Sequence, residues 1–260
     1  MSVTSFPEIS RAVALFGFGA FGELVARTLL PDMPVVVCDP DPAAQARARA
    51  LGATVLPPEA AARAGIVVLA VPVPLLERVL RDLAPHLRPG QLVIETCSVK
   101  EEPARLLETL LPEGVEALAT HPMFGPASAA RGLRGCQMVL CPLRGNRWRR
   151  VAAFLRARHG LRLLRATPEE HDRQAALSQG LTHLLAHAMA RLGPQPAIRT
   201  RSYELMMEAF AMVADDAPEV YTAITRGNAH VAPLSEALIA ALRLESGARR
   251  EPAPGLENMG

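Results

Sequence analysis

Residues 12–22, Ala12-Val13-Ala14-Leu15-Phe16-Gly17-Phe18-Gly19-Ala20-Phe21-Gly22, join an apolar run to a glycine-spaced turn. Beyond it Leu24, Val25, Thr28 and Leu29 recur at helical spacing until Pro31 stops the pattern. The segment reads as strand, tight turn and helix, in that order. Gly17 permits the turn, Gly19 lets the backbone come close to a pyrophosphate, and Gly22 lets the helix pack closely on the strand. With Phe18, Ala20 and Phe21 between them they form a candidate cofactor loop, where the helix N-terminus offers amides and the positive end of its dipole to phosphates. A second strand at 35–38 ends in Asp39, 22 residues after Gly17 and 17 after Gly22. A carboxylate there can accept hydrogen bonds from both ribose hydroxyls and repels a 2′-phosphate, which favours NAD over NADP. A plain loop carboxylate in Asp39-Pro40-Asp41-Pro42 is the alternative.

Downstream the alternation continues, with helices at 43–51 and 75–83 and strands at 66–70 and 92–95. A last strand pair at 137–141 and 161–164, with a helix at 147–157 between, completes the sheet near residue 167. Such repetition predicts an α/β fold, a Rossmann-like, doubly wound parallel sheet over residues 1–167. Ligands in that architecture sit at the carboxyl ends of the strands. Val71-Pro72, Cys97-Ser98-Val99-Lys100 and His121 each follow a strand pattern, so all three are expected near the nicotinamide end of a bound dinucleotide. In His121-Pro122-Met123-Phe124-Gly125-Pro126 the prolines disfavour helix, and the segment is expected to be an ordered loop. An imidazole held there can accept a proton near neutral pH.

After Thr167-Pro168 the strand patterns stop. Thr167 can cap a helix that Pro168 starts, with Glu169 and Glu170 at its positive end. On a regular helix Asp172, Gln179 and His183 fall on one stripe with Ala176, a polar face with small side chains that leaves room for a ligand. Helices at 203–214, 218–228 and 232–244 follow, too little chain for an independent core. Residues 168–245 are therefore expected to form an all-helical substrate domain that mediates homodimerisation, and 246–260 a disordered tail.

Composition narrows the partners. The 28 basic and 26 acidic residues nearly balance, and aromatics make up only 4%, so neither charge nor stacking platforms point to nucleic acid. Cys38, Cys97, Cys136 and Cys141 are scattered without metal-ligand spacing, and read as reduced thiols with no metal site. Residues 1–11 lack a signal-peptide pattern and no apolar run approaches ~20 residues, so a cytoplasmic protein without membrane contact is expected.

The glycine loop, Ser98-Val99-Lys100, Thr120-His121-Pro122-Met123-Phe124-Gly125-Pro126 and the run from Glu170 to His183 together resemble the prephenate and arogenate (cyclohexadienyl) dehydrogenases of tyrosine biosynthesis. The resemblance implies NAD-dependent oxidative decarboxylation of a cyclohexadienol, with His121 accepting the hydroxyl proton and Ser98 bonding both His121 and the substrate oxygen. It implies substrate contacts from His183 and Gln179 across an interdomain cleft. Lys100 is a candidate to attract substrate carboxylates, or simply starts the next helix. An arginine that many relatives use for a substrate carboxylate aligns with Glu204 here, leaving Arg199, Arg201 and Arg226 as nearby candidates. Arg131, where some amine-selective relatives are acidic, would repel arogenate's ammonium and leans the reading to prephenate. Arogenate, 4-amino-4-deoxyprephenate and a non-catalytic NAD-sensing role are the alternatives.

Overall fold

Val35-Val36-Val37-Cys38, Ile66-Val67-Val68-Leu69 and Leu92-Val93-Ile94-Glu95 are dominated by β-branched and aliphatic side chains, with little polar alternation. Such strands are stable when both faces are covered. The computed structural model, which describes residues 9–214 and 216–247, builds them into one sheet of eight strands. The elements run β1 (Val13–Phe16), α1 (Ala20–Leu29), β2 (Val35–Cys38), α2 (Pro42–Ala50), β3 (Thr54–Val55), α3 (Pro58–Ala61), β4 (Ile66–Leu69), α4 (Val73–Leu83) and β5 (Leu92–Glu95). Then come α5 (Glu101–Leu110), β6 (Glu116–Pro122), α6 (Pro126–Ala129), β7 (Gln137–Arg144), α7 (Trp148–His159) and β8 (Arg162–Arg165). Strand order is β3-β2-β1-β4-β5-β6-β7-β8, and every neighbouring pair is parallel except β6 with β7. The order reverses between β1 and β4, which opens the ligand crevice at their carboxyl ends.

Leu76, Leu80 and Leu83 of α4 and Leu106 and Leu107 of α5 pack on one sheet face. Ala26 of α1, Ala44 and Ala48 of α2 and Ala152 of α7 pack on the other. Small residues on that second side let helices approach closely over Val13, Leu15, Val37 and Leu118. The doubly wound fold read from the sequence is thus present, with one antiparallel junction added.

That junction corrects one expectation. His121-Pro122 is not loop but the end of β6, paired antiparallel with β7 through His121↔Val139 and Pro122↔Met138. Proline drives the preceding residue to extended geometry, which suits a strand, and Pro122 sits at the strand terminus where a missing donor is tolerated. The irregular segment begins only at Met123.

The chain beyond β8 is helical: α8 (Pro168–Ala175), a π turn (Ala176–Gly180), α9 (Leu181–Arg191), α10 (Arg201–Ala214), α11 (Pro218–Thr225) and α12 (Val231–Glu245). Thr167 caps α8 by accepting from the Glu170 amide at 3.1 Å. The π turn interrupts the regular helical stripe, and α12 crosses it closely. A Cβ on Gly180 would lie 2.6 Å from Val231 Cγ2. The expected tail from 246 onward lies outside the described residues after Gly247. Among the described residues no helix is long and apolar enough to cross a membrane.

Candidate active site

Gly17 takes φ +91°, a left-handed geometry that favours glycine, and a Cβ there would lie 2.5 Å from Ala70 O and 3.0 Å from Val71 Cγ1. Gly22 is as tightly held, since its Cβ would meet Gly17 O at 2.2 Å. Both glycines are required by the protein itself. At Gly19, by contrast, a Cβ would meet nothing within 4 Å, and no side chain caps the helix that starts there. The bare backbone at Gly19 and the uncapped first turn of α1 fit a phosphate-bearing ligand. Asp39 closes the loop: Phe18 N donates to its Oδ2 at 2.6 Å and Asp41 N to its Oδ1 at 2.8 Å. Each carboxylate oxygen keeps further lone pairs, so the group can still accept from a ribose. Val71 and Pro72 follow β4 after Ala70, Pro72 at the N-cap position of α4, so the loop residues and this pair share the carboxyl end of the sheet.

His121 lies at the same end of the sheet, where β6 finishes, and is buried. Its Nδ1 is 2.8 Å from His171 Nε2, and His171 Nδ1 is 2.7 Å from Asp172 Oδ1. His121 Nε2 has no protein partner among the described residues and is not sealed off as a buried orphan. Burial, with the neighbouring Lys100 charge adding to it, holds the His121 pKa well below the usual histidine value of 6.5. The ring is therefore neutral, and able to accept a proton, throughout the neutral range. His171, in the first turn of α8, is the member of this cluster that sequence reading missed. The His-Asp pair directly after a capped helix start was its only signal, because the partner ring lies 50 residues away.

Asp172 has a second task. It accepts from the amides of Lys100 at 2.7 Å and Glu101 at 2.9 Å, and so caps α5 from the helical half. Asn228 Nδ2 in turn donates to Asp172 O at 2.7 Å, and His230 Nε2 lies 2.8 Å from a Glu101 carboxylate oxygen. These bonds dock the helical half onto the sheet domain beside His121.

The remaining candidates divide. Ser98 is half-buried and its hydroxyl has no protein partner among the described residues; the expected bond to His121 is replaced by the one from His171. Lys100 does begin α5, but the expectation that it attracts substrate carboxylates is corrected. Its ammonium is fully buried, paired with Glu95 and donating to Thr120 O. The strand-end carboxylate pulls it inward, since a buried charge must be paired. His183 is also buried, its Nδ1 2.9 Å from Gln179 O and its Nε2 2.9 Å from Asp216 Oδ2. Among the described residues no hydrogen bond or ring contact joins it to His121. Gln179 Oε1 is a buried acceptor without a partner. Arg131, Arg199, Arg201 and Arg226 are exposed; Arg199 donates to Pro196 O at 2.8 Å, and Arg201 pairs with Glu204 and Glu208. A π turn at Ala176–Gly180 lies between Asp172 and His183, a wide turn that regular helical spacing does not count.

Fold and site together define an α/β protein with a Rossmann-like nucleotide-binding domain and a neutral buried histidine at the carboxyl end of its sheet. Residues 25–161 match the family model described as prephenate dehydrogenase, nucleotide-binding domain. The chain belongs to the prephenate dehydrogenase family. It is 32% identical over 193 residues to a Methanocaldococcus jannaschii protein named a probable arogenate/prephenate dehydrogenase, covering 70% of this chain and 43% of that protein. Against arogenate dehydrogenase 1, chloroplastic, of Arabidopsis thaliana it is 31% identical over 223 residues, covering 80% of this chain and 35% of the other. The chain thus spans less than half the length of these two relatives. Its fold is that of Aquifex aeolicus prephenate dehydrogenase solved with hydroxyphenyl propionate and NAD+, with a TM-score of 0.74 at 19% identity, over 91% of this chain and 90% of that one.

Proposed function

We propose that this chain catalyses the NAD-dependent oxidative decarboxylation of prephenate or a closely related cyclohexadienol. The observation that carries the reading is His121, neutral, with Nε2 unpartnered, at the carboxyl end of the sheet, which also holds the glycine loop. Bound NAD would supply the hydride acceptor for the ring carbon that bears the hydroxyl. His121 takes the hydroxyl proton, and loss of the ring carboxylate as CO₂ leaves an aromatic product. The protein's share is then to orient, to deprotonate and to exclude water. Gly17, Phe18, Gly19, Ala20, Phe21 and Gly22 would hold the pyrophosphate, Asp39 the ribose, and Val71 and Pro72 the wall beside the nicotinamide.

Ser98 is free to bond the substrate oxygen. The orphaned Gln179 Oε1 favours a ligand donor in the helical half, because a buried acceptor without a partner costs about 1–3 kcal/mol. We assign His183 to the same wall as the group that Gln179 and Asp216 hold in place. A dianionic substrate needs a cation, and Arg131, Arg199 and Arg201 are the proposed sources. Arg131 favours prephenate over the ammonium-bearing arogenate. The apolar surface that α10 and α12 leave exposed, including Leu205, Met206, Met212, Ile239 and Leu242, supports a homodimer through the helical half.

NADH formation measured on prephenate, arogenate and 4-amino-4-deoxyprephenate tests the reading. Activity is expected to be highest on prephenate, and with NAD rather than NADP because the Asp39 carboxylate repels a 2′-phosphate. Activity on the amino analogue alone would overturn the substrate, and cofactor binding without any turnover would make the chain a sensor. The same assay across pH carries a second expectation. Activity depends on neutral His121, and burial lowers its pKa, so the acid limb of the profile is expected well below 6.5. A limb at the ordinary histidine value would contradict the buried base.

A further inference from the structure

We propose that Asp172 and His171 are positioning residues that hold His121 in the one neutral tautomer whose Nε2 is bare. The inference rests on the reading of His121 as proton acceptor and says what makes that nitrogen available. It begins at Asp172, whose two oxygens take the amides of Lys100 and Glu101 at the N-terminus of α5. With an amide donating to each of its oxygens, the Asp172 carboxylate acts here as an acceptor. Asp172 Oδ1 is also 2.7 Å from His171 Nδ1, so that nitrogen must carry the hydrogen. In a neutral imidazole Nε2 is then the acceptor. His121 Nδ1, 2.8 Å away, must donate to it, and the remaining nitrogen of His121 is left without a hydrogen.

Each assignment follows from the one before. His121, His171 and Asp172 are all at most 4% exposed, so water does not compete for these bonds. Other charged groups facing the pair are Glu95 from β5 and Lys100 from the start of α5, and these two are paired with each other. When Nε2 takes up a proton, the hydrogen on His121 Nδ1 can pass to His171 Nε2. His171 keeps its Nδ1 hydrogen against Asp172, so the positive charge comes to rest beside a carboxylate. The relay needs His171 neutral at rest: a doubly protonated His171 would donate to His121 and leave the wrong nitrogen bare. It also assigns to His171 the tautomer-fixing task that a serine would otherwise perform, which releases the Ser98 hydroxyl.

Nitrogen-15 NMR of the histidine rings in the full-length protein reads the tautomers without turnover. Both His121 and His171 are expected to show a protonated Nδ1 and a bare Nε2 at neutral pH. His171→Leu leaves the Asp172 cap on α5 in place, and is expected to let His121 exchange between tautomers. It should lower kcat about 10- to 100-fold with little change in KM. His171→Gln, whose amide oxygen can accept the same hydrogen, should restore part of the loss. A protonated Nε2 on wild-type His121, a doubly protonated His171, or equal losses in the Leu and Gln variants with the His121 tautomer unmoved would overturn the proposal. Full turnover in His121→Asn with both tautomers as expected would instead sink the base reading and leave the relay standing.

Discussion

Replacing His121 by Asn is expected to lower kcat by on the order of 10²–10⁴ and to leave the dissociation constant for NAD unchanged. The size follows from the role, because a positioned base in the transition state contributes about that much. Asn can still donate to His171 Nε2, so the buried hydrogen bond at 2.8 Å has a replacement and the strand end is expected to stay in place. The glycine loop and Asp39 lie after other strands and share no hydrogen bond with His121, which is why cofactor affinity should not move. Steady-state kinetics beside a direct NAD titration separates the two quantities. Unchanged turnover would show that the proton leaves by another route.

Lys100→Met is expected to destabilise the fold by about 3–5 kcal/mol, because it leaves Glu95 as an uncompensated buried charge. Glu95 also accepts from Cys97 N at 2.8 Å and from Thr120 N at 3.1 Å, so it ties together the two strand ends that carry Ser98 and His121. The double variant Lys100→Met/Glu95→Gln removes the stranded charge while an amide oxygen can still accept one of those bonds, and it should recover part of the loss. Chemical denaturation of the three proteins reads both effects. Full stability in Lys100→Met, with a raised KM for substrate, would return the lysine to the role of substrate contact.

The sheet domain was largely legible because its signals are local. An apolar run, a glycine turn and a helical repeat sit within residues 12–31, and each strand and helix after them carries its own periodicity. Thr167 and Pro168 announced α8 in the same way. What escaped was set by partners distant in sequence. The two residues of β3 are too few to show a period, and β6 runs through Pro122 because β7 pairs with it. Lys100 reads as an exposed cation until Glu95 and Thr120 O are seen to enclose it.

The site divides along the same line. Ser98 and Asp39 follow strands and His121 ends one, so the strand pattern alone brings all three to the carboxyl end of the sheet. His171 could not be placed, since nothing local distinguishes a helix-start histidine that meets another ring from one that meets water. Nor could the break in regular helix between Asp172 and His183. It is a π turn at Ala176–Gly180, which regular helical spacing does not anticipate.

The most direct measurement is the distance, in a crystal of the protein with NAD and a phenolic product analogue, from His121 Nε2 to the phenolic oxygen. The account predicts a hydrogen bond of about 2.6–3.2 Å, with that oxygen's carbon facing the nicotinamide. A ligand bound with its oxygen out of reach of His121, and held by a different base, would contradict it.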